Sequence, residues 1–304
     1  MGFNFDFDLD RELFKELFNH WSNLNESHFA AKQLSGGITN RLLKVSVEEE
    51  NGNMVHVTVR IYGPNTECVI NRDRELQAIP HLSAAGFGPK LLGTFENGMV
   101  QSFIHARTLD ASDMRKPKLA AEIAKQLKSF HQVDIPGSKE PQLWNDIFKF
   151  LKKASNLTYD DCKQQNVYNK ISFKEVETEL IKLKELTGQL EAPVVFAHND
   201  LLSGNLMLND DEGKYPSKDE QYHFFRHYLN PEKPNEVSDN DLEALYVETT
   251  CYMLVSHLYW GLWALIQEKI SDIDFDYLEY FFLRYNEYKR RKNGCFSLAK
   301  SYLS

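Results

Sequence analysis

Val194-Val-Phe-Ala-His-Asn-Asp-Leu-Leu-Ser-Gly-Asn205-Leu-Met-Leu places His198, Asp200 and Asn205 at a spacing that phosphoryl transfer to an alcohol requires. The reaction needs a carboxylate to take or orient the hydroxyl proton, and an oxygen ligand for the magnesium ion that offsets phosphate charge. Asp200 suits the first task and Asn205, five residues on, the second. The apolar Val194–Ala197 reads as a short buried strand and Leu206-Met-Leu208 as another. A polar turn between two strands, with Asp and Asn as mere turn formers, is the plainer alternative. The apolar context on both sides favours the catalytic loop.

The spacing matches the protein-kinase loop His-Arg-Asp-x-x-x-x-Asn, with Asn199 in place of the arginine. Three further stretches bear on the same chemistry. Ser35-Gly-Gly-Ile-Thr-Asn40 lies between two expected strands. Gly36 and Gly37 allow backbone N–H groups to approach phosphates, and Ser35, Thr39 and Asn40 add donors. Many strand–strand turns look the same, so alone it carries little. Arg60 alternates out of the apolar strand Val57-Thr-Val-Arg-Ile-Tyr62, where a kinase presents a cation to the α/β-phosphates. Glu75 on the following helix is its natural partner, and the alternative is a surface arginine on an edge strand. Trp260 and Trp263 share a helix face, with Tyr259 nearby. Aromatic faces attract ammonium groups, although a core stripe is the commoner use of such spacing.

The composition sets limits. The chain has 304 residues, 42% hydrophobic and 26% charged, enough for two lobes with separate cores. A net charge of -9 and a pI near 5.6 disfavour nucleic acid and anionic membranes and suit a cationic co-substrate. Cys68, Cys162, Cys251 and Cys295 are scattered, as free thiols in a reducing, cytoplasmic compartment would be. The start, Met1-Gly-Phe-Asn-Phe-Asp6, is unlike a signal peptide, and Asp6 argues against myristoylation at Gly2. The apolar run Leu254–Ile266 is too short to span a bilayer, so an integral membrane protein is not expected.

Periodicity predicts an amphipathic helix over 11–24, then strands at 29–35, 41–47 and 55–62 with an Asn51-Gly52 hairpin turn. A helix at 67–84, shortened or kinked by Pro80, precedes strands at 90–95 and 99–103 joined by Asn97-Gly98. Beyond residue 116 the expected elements are helices: 116–133, 143–154, 173–186, 218–228, 240–269 and 276–290. The fold class is α+β, a two-lobed protein-kinase-like arrangement. A small, mostly β N-terminal lobe at 1–104 carries the nucleotide-phosphate loop. A larger helical C-terminal lobe at 105–304 carries the catalytic loop. The hinge near Ile104-His-Ala-Arg-Thr108 would dock a nucleotide base.

These segments together resemble the choline/ethanolamine kinase family, most closely its plant ethanolamine kinases. The stretches that carry the resemblance are Ser35–Asn40, Val57-Thr-Val-Arg-Ile-Tyr-Gly-Pro-Asn65, Ala85-Gly-Phe-Gly-Pro-Lys-Leu-Leu92, Phe196–Asn205 and Ser256-His-Leu-Tyr-Trp-Gly-Leu-Trp263. The Asn-Asp-Leu-Leu form of the loop is typical of the ethanolamine branch. The resemblance implies ATP-dependent phosphorylation of ethanolamine, magnesium dependence and the first step of phosphatidylethanolamine synthesis. By position it implies Asp200 as base, Asn205 as a magnesium ligand, Arg60 on ATP phosphates, and Trp260 and Trp263 lining the amino-alcohol pocket. Choline or another small amino alcohol stays open as substrate, as does a homodimer as assembly.

The sequence departs from the family at one place. There an Ile-Asp-Phe-Glu-Tyr strand follows the loop, its aspartate holding magnesium, and an acidic residue near the substrate ammonium comes later. Here Leu206-Met-Leu-Asn-Asp-Asp-Glu-Gly-Lys214 runs straight into Tyr215-Pro-Ser-Lys218, where the resemblance resumes. A few tens of residues are missing in one clean block, the mark of a skipped exon or a gene-model error rather than drift. One of two magnesium anchors goes with it, and Asp210 and Asp211 are poorly placed to replace an aspartate of the returning strand. Leu206–Leu208 also loses its partner, which invites aggregation. Two other readings remain: a non-catalytic pseudokinase that binds ATP or the amino alcohol, and a kinase of the aminoglycoside-phosphotransferase type, which shares the loop.

Overall fold

The computed structural model describes residues 18, 21–34, 40–106, 108–138, 140–201, 217–271 and 273–304. The chain divides into two compact units, Met1–Thr108 with Val133–Pro136, and Leu109–Gln132 with Gly137–Ser304. The first unit is a five-stranded antiparallel sheet: β1 (Phe29–Gln33), β2 (Asn40–Glu48), β3 (Met54–Tyr62), β4 (Leu91–Phe95) and β5 (Gly98–Ser102). The order across the sheet is β1-β2-β3-β5-β4. Period-two alternation turns Leu43, Val45, Val47, Val57 and Val59 inward, where they meet Trp21, Leu24, Phe29 and Val100. Arg60 follows Val59 and therefore faces the other way.

Both expected hairpins form, the second turning at Glu96-Asn97 with Gly98 already in β5. Gly52 adopts φ 79°, a left-handed conformation that glycine enters without strain, and Glu49 N–H bonds Asn53 O at 2.9 Å across the turn. Most of the helix expected over 11–24 lies outside the described residues. At its end Trp21 N–H bonds Phe18 O and Leu24 N–H bonds Trp21 O, tight turns rather than a continuing α-helix. The helix expected from residue 67 begins later, as α1 (Arg72–Ala84), because the Asn71 side chain accepts from Arg74 N–H and caps it there. Thr66–Cys68 is a separate 3-10 turn. Pro80 sits inside α1 without ending it.

The second unit is helical: α2 (Ala111–Met114), α3 (Pro117–His131), α4 (Leu143–Ala154), α5 (Cys162–Tyr168), α6 (Phe173–Gly188), α7 (Lys218–Leu229), α8 (Asp239–Ile270) and α9 (Tyr277–Leu303). Its centre is the α8–α9 pair. Leu254, Leu258, Leu262 and Leu265 face Tyr277, Phe281, Tyr285 and Tyr288 in buried rows at helical spacing. Gly261 lies at the close approach, where an added Cβ would stand 3.3 Å from the Phe281 ring. The last helix was expected to stop at Arg290. It runs to Leu303 because Cys295 and Ala299 continue its buried face. The short helices α2 and α5 were not expected; each starts at an aspartate cap, Asp110 and Asp161.

One strand expectation fails. Val194–Ala197 is not a buried strand: no described segment pairs with it, and Val194 and Val195 are 54% and 37% exposed. Apolar character alone does not make a strand when no neighbour closes its backbone hydrogen bonds. The expected partner Leu206–Leu208 lies outside the described residues. No helix among the described residues is long and apolar enough to cross a membrane.

Candidate active site

In the first unit, Ser35, Gly36, Gly37 and Thr39 lie outside the described residues. Asn40 opens β2 opposite Tyr62 of β3. Arg60, between Leu42 and Met99 in register, reaches α1: its Nη1 stands 2.9 Å from Glu75 Oε1. Glu75 Oε2 is taken by a second guanidinium, Arg72 Nη1 at 2.7 Å. Arg72 Nη2 also donates to Thr66 Oγ1 at 2.7 Å and to Asn40 Oδ1 at 3.3 Å. Its plane covers the Tyr62 ring at 3.8 Å. Burial, then the Glu75 carboxylate, raise the Tyr62 phenol above its usual range. Arg72 escaped the sequence reading, although its i,i+3 spacing to Glu75 was a usable signal.

Gly98 supports this cluster from the neighbouring strand. A Cβ there would run into the backbone oxygen of Arg60 and the ring of Phe95. Neither a backbone oxygen nor a ring fixed in its strand yields cheaply. Gly98→Ala is therefore expected to destabilise the first unit by about 1–3 kcal/mol, the usual range for overpacking. Urea denaturation followed by Trp21 fluorescence measures this, and an unchanged midpoint would show that β3 and β5 give way easily.

In the second unit, the backbone bends sharply before Asp200. Asn199 has φ 62°, a left-handed conformation that asparagine tolerates better than most residues. Past the bend, Asp200 N–H donates to His198 Nδ1 at 3.3 Å. Phe130 of α3 lies 6.2 Å from the His198 ring and 5.8 Å from Phe196. Phe130 thus shores the loop on one side. Asn205 lies outside the described residues. Asn199 was noted in the sequence only as a replaced arginine; its value is its backbone conformation.

Trp260 and Trp263 stand edge to face, ring centroids 5.3 Å apart. Tyr259 contacts Trp260 and Phe150, and Tyr277 of α9 contacts Trp263 at 5.8 Å. Both indoles are half-buried, whereas Leu258, Leu262 and Leu265 on the same helix are buried. They border the core rather than fill it, leaving aromatic surface for a cation. Phe150 and Tyr277 come from other helices, so sequence spacing could not have joined them to the pair. Among the described residues, no three His, Cys, Asp or Glu side chains are grouped to hold a metal ion.

The family model of choline/ethanolamine kinases matches residues 31–214 and 209–289. The "Probable ethanolamine kinase" of Arabidopsis thaliana is 57% identical over 327 residues, covering 96% of this chain and 87% of that protein. The "Probable ethanolamine kinase A" of Dictyostelium discoideum is 32% identical, covering 91% and 90%. Among solved structures, Plasmodium vivax ethanolamine kinase superposes with a TM-score of 0.77 at 25% identity, covering 92% of this chain and 86% of that one. The choline kinase of Cryptosporidium parvum shares the fold, with a TM-score of 0.73, 22% identity and coverage of 98% and 99%. Since 96% of 304 residues is about 292, about 35 of the 327 positions aligned with the Arabidopsis protein have no counterpart here. The two stretches matched by the family model meet at 209–214, beside the break read from the sequence. The protein-kinase-like fold, the two-part family match and the relatives along nearly the whole chain agree: the chain belongs to the choline/ethanolamine kinase family.

Proposed function

We propose that the chain is an ethanolamine kinase, transferring the γ-phosphoryl group of ATP to the hydroxyl of ethanolamine, and that the missing block impairs it. The observation that carries this reading is the 57% identity to the Arabidopsis protein along 96% of this chain, which itself retains the Asp200 loop and the Trp260–Trp263 pair. In the transfer, the ethanolamine oxygen forms a bond to the γ-phosphorus, the bond to the ADP oxygen breaks, and the hydroxyl proton passes to Asp200. Arg60, held by Glu75, meets the phosphates with Ser35, Gly36, Gly37, Thr39 and Asn40. Trp260 and Trp263 take the ammonium group. Magnesium would supply charge neutralisation on the phosphates, with Asn205 as its remaining protein ligand. Those residues fall short of a complete magnesium site, because the acid of the returning strand is absent. The same absence supports the second reading, a non-catalytic form that still binds nucleotide. The cysteines are not joined in disulfides among the described residues, in keeping with a reducing cytoplasm.

The chain with the block restored tests the activity. It should form phosphoethanolamine from Mg-ATP faster than it forms phosphocholine, and no transfer to either alcohol would sink the reading. In the same restored form, Trp260→Ala should raise the KM for ethanolamine by about 2- to 30-fold, as the loss of one cation–π contact implies, with kcat less affected. An unchanged KM would remove Trp260 from the pocket.

A further inference from the structure

We infer that Arg72 is a positioning residue that holds Glu75 so that Arg60 keeps part of its guanidinium free for nucleotide phosphates. The inference rests on the kinase reading and adds a residue to it. A lone arginine and carboxylate tend to close into a two-bond fork. Such a fork would commit a whole edge of Arg60 to Glu75. Arg72 prevents it by occupying Oε2 at 2.7 Å, which leaves Arg60 a single oxygen, Oε1, at 2.9 Å. Glu75 is thereby held at both oxygens and cannot turn away.

Arg72 is itself fixed on several sides. Thr66 is 5% exposed; its hydroxyl donates to Gly63 O at 2.9 Å and so presents a lone pair to Arg72 Nη2. Asn40 Oδ1 receives the same nitrogen, tying the arginine to the residue that ends the 35–40 loop. Tyr62 supports the guanidinium face. These contacts spend Arg72 inside the protein, at 16% side-chain exposure, whereas Arg60 is 26% exposed and Glu75 is its sole ion-pair partner among the described residues. Two guanidiniums and one carboxylate leave one positive charge in excess, concentrated on Arg60. Lysine could not replace Arg72, because a single ammonium cannot serve Glu75, Thr66 and Asn40 in one plane.

Binding to the 304-residue chain without magnesium tests this, with ADP and adenosine as probes in calorimetry and ligand-observed NMR. Arg72→Met should raise the Kd for ADP about tenfold and leave adenosine binding unchanged, since adenosine has no phosphates. In an Arg60→Met background the same change should add less than twofold, because Arg72 acts through Arg60. Arg72→Lys, which keeps the charge but not the fork, should still weaken ADP several-fold, and it serves alone if the methionine variant does not fold. An equal loss for ADP and adenosine would mean a general structural role. Full additivity with Arg60→Met would mean an independent contact. Either result, or an unchanged ADP Kd, overturns the inference. Failure of both the unaltered chain and the chain with the block restored to bind ADP would instead overturn the kinase reading, and this inference with it; failure of the unaltered chain alone would mean that the block supports the fold, and the same variants would then be compared in the restored chain.

Discussion

With saturating Mg-ATP and ethanolamine, the 304-residue chain is expected to turn over at least on the order of 10²–10³-fold more slowly than the same chain with the missing block restored. That is the usual cost of removing one preorganised charge-stabilising group. The transferred phosphoryl group develops its charge against metal ions and cationic side chains, and positioning does the rest. On the proposed reading, Asn205 is the one of two magnesium-holding positions that the sequence keeps. Asp210 and Asp211 directly follow Leu206–Leu208 in the sequence, whereas the resemblance to the family implies a metal-holding aspartate further along, within the missing block. Arg60, Glu75 and Arg72 are intact and paired, so nucleotide affinity should survive where turnover does not. Steady-state assay of both forms, each as a monodisperse species, makes the comparison. Comparable rates would mean that another residue of the chain holds the metal. A slow chain that also fails to bind nucleotide would mean that the block supports the fold rather than the chemistry.

Legibility differed between the two units for physical reasons. Asn51-Gly52 announces its hairpin because few residues enter the left-handed conformation that Gly52 adopts, Asn97-Gly98 marks the second hairpin by turn composition alone, and the alternating Val57 and Val59 locate the sheet's inner face. Helix α4 could be read end to end because its buried row Ile147, Phe150, Leu151 and Ala154 keeps strict helical spacing. Helix starts were harder: α1 waits for Asn71, whose capping bond depends on backbone geometry that composition does not reveal. Val194 and Val195 misled because apolar residues declare a strand only when a partner exists. In the candidate site, Arg60 and Glu75 were visible as two members of a known pattern. Arg72 was hidden because its role depends on Thr66, Asn40 and Tyr62 arriving from separate elements. Phe150 and Tyr277 were hidden in the same way beside the tryptophans.

His257 should make stability depend on pH, by up to about 3 kcal/mol, in the window between about pH 4 and 6.5. Its ring lies on α8, with Nδ1 buried and without a hydrogen-bond partner among the described residues. Burial is the main cause that pushes its pKa down to about 4. The Arg284 guanidinium adds to this, Glu287 opposes it, and Arg291 and Arg290 contribute smaller repulsions. In the unfolded chain the imidazole titrates near 6.5. Between the two values the unfolded chain takes up a proton that the folded chain refuses. The contribution is therefore full above pH 6.5 and is lost as pH falls toward 4. Glu248 and Glu268, whose pKa values burial raises, act with the opposite sign, so the total slope mixes several groups. The difference between the unaltered chain and His257→Leu isolates the one that matters. Leucine fills much of the same space without a titrating group, so the urea midpoint of the unaltered chain should fall progressively relative to that of His257→Leu as pH drops from 6.5 to 4, and the two should run parallel above 6.5. A parallel course throughout, or a His257 NMR titration centred near 6.5, would show that the ring is hydrated in solution and that the α8–α9 seam is looser than its packing implies.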